Sequence, residues 1–264
     1  MKIGIIGYGN MAKALCSGFL RHPSYHLQIA APSLQPGHPQ PHCHTYTNNV
    51  TAIQGAEIVI LAVKPAQMRT VLMEIHSHLS PSVLVISVAA GLDMQWFSQY
   101  IPPHTPLVRA IPNLAAAYQQ SATPLLANDW VTASQKQVAT ELFQQCGHIA
   151  WIDQEKDLDT ITALAGSGIA YLFAFTHAMS TAAITLGLSP DIANRFAVQT
   201  LAGAASLASL SEHSLPTLQQ HVTSKGGTTA AALDVFKQHH LSNIVLTAMQ
   251  AAVARSQTLR LEEL

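Results

Sequence analysis

From Lys2 to about Asp153, short runs rich in β-branched residues recur along the chain, each followed by a stretch of helical periodicity. This alternation constrains the fold more than any other feature. The runs are Lys2–Ile6, Leu27–Ala31, Ile58–Val63, Val83–Val88, Leu107–Ile111 and His148–Ile152, and the helical stretches include Met11–Leu20, Ala66–His78, Met94–Tyr100 and Ala133–Gln145. Continuous apolar runs of this length read as strands buried on both faces, and buried strands separated by helices argue for a parallel, doubly wound sheet. After Lys156 the strand signal stops and helix punctuation takes over. Gly187 followed by Ser189-Pro190-Asp191 is a terminal glycine and then an N-cap with proline in the first turn, and Pro216 opens another short helix. The Pro- and His-rich segment Pro32–His44 reads as a surface loop.

Composition narrows the partners. A net charge of -1 gives no electrostatic case for nucleic acid or a membrane surface, so a small-molecule ligand is expected. Cys16, Cys43 and Cys146 are odd in number and lack metal-type spacing, which fits a reducing, cytoplasmic compartment. Met1 leads directly into the first strand, which is not the pattern of a signal peptide. Ile161–Leu188 contains no Asp, Glu, Lys or Arg, and its length alone would nominate a membrane helix. Its glycines, threonines and His177, and the alanine-rich pattern from Asp191 to Leu210, fit better with helices covered by a partner chain.

Gly7-Tyr-Gly-Asn-Met-Ala12 follows an apolar strand and opens an amphipathic helix, the context that makes a glycine pattern a dinucleotide fingerprint. Gly7 permits a tight turn, Gly9 lets backbone approach a pyrophosphate, and Ala12 lets helix and strand pack closely. The helix start at Asn10 and Met11 supplies N–H groups and positive potential. The expected architecture is therefore an α/β N-terminal Rossmann-type dinucleotide-binding domain over residues 1–156, followed by an all-α C-terminal domain over residues 157–264. The second strand ends in Gln28-Ile-Ala-Ala-Pro-Ser33, and the first acidic residue of the chain is Glu57. With no carboxylate to hold a free ribose 2′-hydroxyl, NADP(H) is favoured over NAD(H), and Ser33 is the candidate recognition residue.

Ala62-Val-Lys-Pro65, Ser87-Val-Ala-Ala-Gly91 and Arg109-Ala-Ile-Pro-Asn113 stand at the ends of later strands, where open α/β sheets bind ligands. Leu164-Ala-Gly-Ser-Gly-Ile-Ala-Tyr171 and Val222-Thr-Ser-Lys-Gly-Gly-Thr-Thr229 follow in the second half. In this order and spacing the motifs resemble the pyrroline-5-carboxylate reductase family over essentially the whole chain. The resemblance implies reduction of L-1-pyrroline-5-carboxylate to L-proline with NAD(P)H, the last step of proline biosynthesis. Separately, the uncharged stretch Ile161–Leu188 and the alanine-rich pattern after it are more than a small helical domain can cover, so the C-terminal half is expected to be a dimerisation domain that forms a homodimer or higher homo-oligomer through its helices. The resemblance assigns Asn49, Ala62, Val63, Lys64, Pro65, Ala89, Ala90 and Gly91 to the cofactor, with Asn113 near the nicotinamide. Ser224, Gly226, Gly227 and Thr228 would hold the substrate carboxylate, Thr229 would reach the ring nitrogen, and Ser167 would be a minor contact. Ser224 and Thr229 are then the catalytic candidates. A glycine turn leading into a helix is a suitable carboxylate site, because N–H groups converge there and the dipole favours an anion. No metal is required.

The chain departs from the family pattern in places: Leu114 and Ala115 replace Thr-Pro, Gln119-Gln-Ser121 stands where the family commonly has a Gly, Ile169 and Lys225 each replace Pro, and Gln219 replaces a basic residue. These departures motivate an alternative, a reductase-like NADP-binding protein with altered substrate or little turnover. A hydroxyacid dehydrogenase of similar plan would need a lysine in the first long helix, and Ile161–Leu188 has none. His38, His42, Cys43 and His44 cluster without the spacing of a closed zinc site and read as surface residues.

Overall fold

Residues 1–262 are described by the computed structural model. Among them one sheet is formed by β1 (Lys2–Ile6), β2 (His26–Ala30), β3 (Gly37–Gln40), β4 (Cys43–Tyr46), β5 (Ile58–Leu61), β6 (Leu84–Ser87), β7 (Leu107–Ala110), β8 (Ser121–Ala127) and β9 (Gly147–Trp151). The strand order is β3-β4-β2-β1-β5-β6-β7-β8-β9. The helices of this half are α1 (Asn10–Phe19), α2 (Asn49–Ile53), α3 (Pro65–Ile75), α4 (Met94–Ser98), α5 (Ala133–Gln144) and α6 (Asp157–Ile161). The central strands β2, β1, β5, β6 and β7 pair in parallel, as the alternation of runs predicts. Their apolar side chains build the core on both faces. One cluster joins Ile3, Ile5 and Ile29 to Leu15, Phe19 and Phe143; the other joins Ile6, Val59 and Leu61 to Met68, Leu72 and Phe97.

The sheet is wider and less uniform than the sequence reading expects. The segment Pro32–His44 is not simply a loop. β3 and part of β4 lie in it as an antiparallel pair, and β4 adds in parallel to β2. β3 is exposed along its length, while β4 alternates, burying Cys43 and Thr45 and leaving His44 and Tyr46 half-buried. Cys43, expected at the surface, is 2% exposed. A short, polar edge is how sheets end without inviting further pairing, and that composition hides the strands from a search for apolar runs. β8 also escapes that search, because it contains Pro124 and buries two hydroxyls, Ser121 and Thr123, among its apolar residues. It pairs antiparallel with β7 and parallel with β9, so the sheet is mixed.

The chain divides into two compact units, one made of residues 1–166 with the segment from Ala252 onward, the other of Ser167–Ala251. In the second unit lie α7 (Gly168–Thr185), α8 (Pro190–Leu210), α9 (Leu215–His221), α10 (Thr228–Gln238) and the first half of α11 (Leu241–Glu262). The expected continuous helix over Ile161–Leu188 is broken. α6 passes into a π-helical turn at Thr162–Gly166 before α7 begins. α8 starts as its sequence predicts, with Ser189 accepting from the Ile192 N–H and Pro190 in the first turn. α7 and α8 are joined by a hydrogen bond from the Ser180 hydroxyl to Asn194 Oδ1 at 2.6 Å. Few apolar side chains are buried here, and Phe173, Phe196 and Leu210 stand in the open.

Candidate active site

In the first unit the ends of four neighbouring parallel strands bring the expected cofactor residues together. Past its last paired residue, β1 delivers the glycine turn, whose Gly7 N–H donates to the Ala30 carbonyl at 2.8 Å. β5 delivers Ala62–Pro65, with the Ala62 N–H on the Ile6 carbonyl at 2.8 Å, and β6 delivers Ala89–Gly91, with the Val88 N–H on the Leu61 carbonyl at 3.1 Å. β7 delivers Asn113. These hydrogen bonds continue the ladder beyond the strands, so the turns inherit the stagger of the sheet.

The glycine turn explains itself residue by residue. Gly7 has φ +97°, and a Cβ there would lie 2.6 Å from the Ala62 carbonyl oxygen, so glycine is required both by the backbone and by the approach of β1 to β5. Gly9 is different. It is extended and exposed, and an added Cβ would meet no atom within 4 Å, so packing does not demand it. Gly9 is the N-cap of α1 and makes no side-chain hydrogen bond, so the first N–H groups, those of Asn10, Met11 and Ala12, have no side-chain cap. Free N–H groups at a helix start are a donor set that suits an anion. α3 begins the same way: Lys64 is its N-cap, makes no side-chain cap, and is followed by Pro65. Ala12 is 1% exposed against the sheet, as close helix packing requires.

Other expected residues carry structural bonds. Asn49 opens α2 and its amide donates to Glu74 Oε2 at 2.7 Å. Ser33 is exposed in the turn after β2, one strand over from Gly7. Asn113 is 7% exposed; its Nδ2 donates to the Ala165 carbonyl at 3.1 Å and its Oδ1 accepts from the Ala115 N–H at 3.0 Å. The Ser121 hydroxyl, 2.9 Å from that of Thr123, accepts from the Asn113 N–H at 3.0 Å. Sequence reasoning missed these two supports because it missed β8. Burial pushes the Cys16 thiol far above its ordinary range and that of Cys146 to about 12, so neither is a ready nucleophile. The Tyr8 phenol, in the glycine turn, is also raised, first by burial and then by Cys16 and Cys43.

In the second unit the Ser224–Thr229 segment is a tight turn running into α10. The Gly227 N–H donates to the Ser224 carbonyl at 3.1 Å, Gly226 has φ +71°, and Gly227 is the N-cap of α10 without a side-chain bond. Thr228 and Thr229 are the first two residues of the helix. The Ser224 hydroxyl folds over Gly227, where an added Cβ would stand 2.3 Å from it. Uncapped N–H groups, a hydroxyl and the positive end of an eleven-residue helix meet here. Ser167 is the N-cap of α7, with its carbonyl accepting from the Ala170 N–H at 2.9 Å.

The chain is similar to known proteins along nearly its whole length. Residues 155–259 match the family described as pyrroline-5-carboxylate reductase dimerisation, and residues 2–91 match one described as NADP oxidoreductase, coenzyme F420-dependent. The chain is 38% identical over 262 residues to a pyrroline-5-carboxylate reductase of Vibrio alginolyticus, covering 97% of this chain and 96% of that one. A pyrroline-5-carboxylate reductase of Pseudomonas aeruginosa is 36% identical, with 97% and 95% covered. Among solved structures, a pyrroline-5-carboxylate reductase of Coxiella burnetii superposes with a TM-score of 0.89 at 34% identity, covering 97% of both chains. The Plasmodium falciparum pyrroline carboxylate reductase, solved with NADP bound, gives 0.87 at 26% identity, covering 98% of both. These matches run along nearly the whole of this chain and of its relatives: the chain is an oxidoreductase and belongs to the pyrroline-5-carboxylate reductase family.

Proposed function

We propose that this enzyme reduces L-1-pyrroline-5-carboxylate to L-proline, with NADPH preferred to NADH, as a cytoplasmic homodimer or larger homo-oligomer held by its C-terminal helices. The observation that carries the reading is the turn before α10, where the Gly226–Gly227 backbone is left uncapped in a chain of this family. A substrate carboxylate takes two or three N–H donors at such a helix start, and the dipole adds to the attraction. Thr229, half-buried in the first turn of α10, offers its hydroxyl to the ring nitrogen. Ser224 adds a second hydroxyl at the carboxylate end. No covalent nucleophile is needed, since the task is to hold an imine carbon in place.

At the sheet ends, the N–H groups of Asn10, Met11 and Ala12 would hold the pyrophosphate, with Val63, Lys64 and Pro65 beside it and Ala89, Ala90 and Gly91 toward the nicotinamide. The chemistry supplied there by a reduced nicotinamide is hydride donation. The preference for NADPH rests on the turn after β2, where Ser33 stands exposed and no carboxylate opposes a 2′-phosphate. The homo-oligomer rests on the exposed apolar faces of α7 and α8 and on the dimerisation family matched by residues 155–259. The test is initial-rate kinetics of cofactor oxidation with pyrroline-5-carboxylate and with its six-membered homologue, each with NADPH and NADH. Turnover of the five-membered imine with a higher kcat/KM for NADPH is expected. Cofactor binding without turnover of either imine would overturn the reductase reading and support a binding role, to which the departures at Leu114, Ala115, Ile169, Gln219 and Lys225 would then point.

A further inference from the structure

Arg109 lies on β7 and is 3% exposed, deep enough that its charge must be compensated. Its Nη1 is hydrogen-bonded and ion-paired to Glu155 Oε1. The same carboxylate oxygen accepts the Met94 N–H at 2.8 Å. Met94 is the first residue of α4 and follows directly on the Ala89–Asp93 turn from β6, while Asp93 separately caps α4 by accepting the Trp96 N–H at 2.7 Å. Glu155 itself stands in the segment between β9 and α6. One carboxylate oxygen therefore fastens three pieces of backbone: the end of β7, the turn expected to lie against the nicotinamide, and the connector toward the helical half. A second tie lies four residues along from Arg109, where Asn113 Nδ2 holds the Ala165 carbonyl of the π-helical turn at 3.1 Å.

Stability alone is a weak reason for such a pair, because the desolvation of two charges offsets much of their attraction, whereas a fixed register is the better-attested gain. A buried arginine with several donors in a rigid plane is suited to that task. We propose that Arg109 and Glu155 are positioning residues for hydride transfer: they lock the 89–93 turn to the end of β7, and so set where the nicotinamide end of the cofactor rests. The proposal depends on the reductase reading above. It implies that the pair acts on geometry at the reacting end, with little influence on the pyrophosphate cradle at α1, which follows β1, three strands from β7 in the sheet.

The test uses the full-length enzyme with Glu155→Gln, which keeps an acceptor for the Met94 N–H, and with the double variant Arg109→Met/Glu155→Met, which removes both charges and is expected to fold. Four quantities are read: Tm, amide hydrogen exchange of residues 88–94 in cofactor-free protein, the Kd for NADPH, and kcat and KM for pyrroline-5-carboxylate at saturating NADPH. Expected for the double variant are exchange at least ten-fold faster in residues 88–94, a kcat lowered ten-fold or more per folded molecule, and a Kd for NADPH within about three-fold of the parent. Glu155→Gln should fall between the two. A double variant with parental kcat per folded molecule, whatever its Tm, would overturn the proposal, and so would unchanged exchange in residues 88–94. If the parent enzyme fails to turn over the imine, the reductase reading fails separately. The brace is then judged by the exchange data and by whether bound NADPH keeps its nicotinamide fluorescence in the variants.

Discussion

The two units of this chain treat the same kind of side chain in opposite ways. In the first, the large apolar residues of the central strands are covered by helices on both faces, and exposed ones such as Met73 and Trp130 stand singly. In the second, the residues buried on α7 are Thr176 and Ser180 and those on α8 are Ala193 and Ala197, while Leu172, Phe173, Phe196, Val198, Leu207 and Leu210 are each more than half exposed. Isolated exposed apolar residues are ordinary, but a contiguous series on long helices marks a face meant for a partner. The first unit makes its own core. The second makes part of one, within the segment that matches a dimerisation family.

This contrast can be broken most severely by placing charges at equal exposure in the two units. Phe196 on α8 is 68% exposed and Met73 on α3 is 65% exposed. Phe196→Asp should abolish the homo-oligomer at micromolar concentration and remove most activity, because a carboxylate would be buried without a partner in the assembly. Met73→Asp should leave both within experimental error. Light scattering and NADPH oxidation on the two variants decide it; equal behaviour would mean that exposure in the helical unit has no special meaning.

A smaller effect separates two glycines within the first unit. Gly7→Ala forces a positive φ on alanine and sets a methyl 2.6 Å from the Ala62 carbonyl, so a loss of at least about 2 kcal/mol of stability is expected. Gly9→Ala meets open space and should leave Tm unchanged while weakening NADPH binding ten-fold or more. Thermal melts and cofactor titrations on both variants sharpen the difference between a glycine needed by the fold and one needed by a ligand. If Gly9→Ala binds NADPH as the parent does, the uncapped start of α1 is not the pyrophosphate cradle.

Smaller again is the loss expected in the helical unit when Thr229 becomes valine. The shape is kept and one hydrogen-bonding hydroxyl is removed, so kcat/KM for pyrroline-5-carboxylate should fall roughly ten-fold. Tm should hold, because Gly227 is the N-cap of α10 and no threonine hydroxyl caps the helix. Unaltered kinetics would reduce the turn to a helix start with no part in catalysis.

The same physical distinction governs what could be read from the sequence. β1, β2, β5, β6 and β7 are apolar runs buried on two faces, and each was visible because burial leaves a continuous signature in composition. β3, β4 and β8 were not, since an edge strand can be polar and β8 carries proline and two buried hydroxyls that bond each other, which breaks the apolar run. The site followed the same rule. Gly7, Gly9 and the SKGGTT turn were legible as local geometry. The supports from Ser121 and Thr123 were hidden with the strand that carries them, and the fastening of Arg109 to Glu155 depends on a contact between residues far apart in sequence, which no local pattern records. The π-helical turn at Thr162–Gly166 likewise interrupts a stretch whose composition favours one unbroken helix.

The smallest expected effect concerns Lys225, where the family has proline. Ser224 to Gly227 closes with an N–H···O bond of 3.1 Å, and Gly226, third in the turn, has φ +71°. A positive φ at that position with the closing bond is the type II arrangement, which places Lys225 at the second position, where proline's fixed φ is favoured. The side chain is exposed, so replacement removes no packing. Lys225→Pro should therefore act mainly on the unfolded chain, raising stability by about 0.4–1 kcal/mol and Tm by about 1–3 °C. At the same time it removes a positive charge beside the proposed carboxylate site. If pre-organisation of the turn matters more than that charge, the KM for pyrroline-5-carboxylate stays level or falls. If KM instead rises several-fold and the rise vanishes at high salt, Lys225 is itself attracting the substrate, and this departure from the family is a substitute for the proline's ordering.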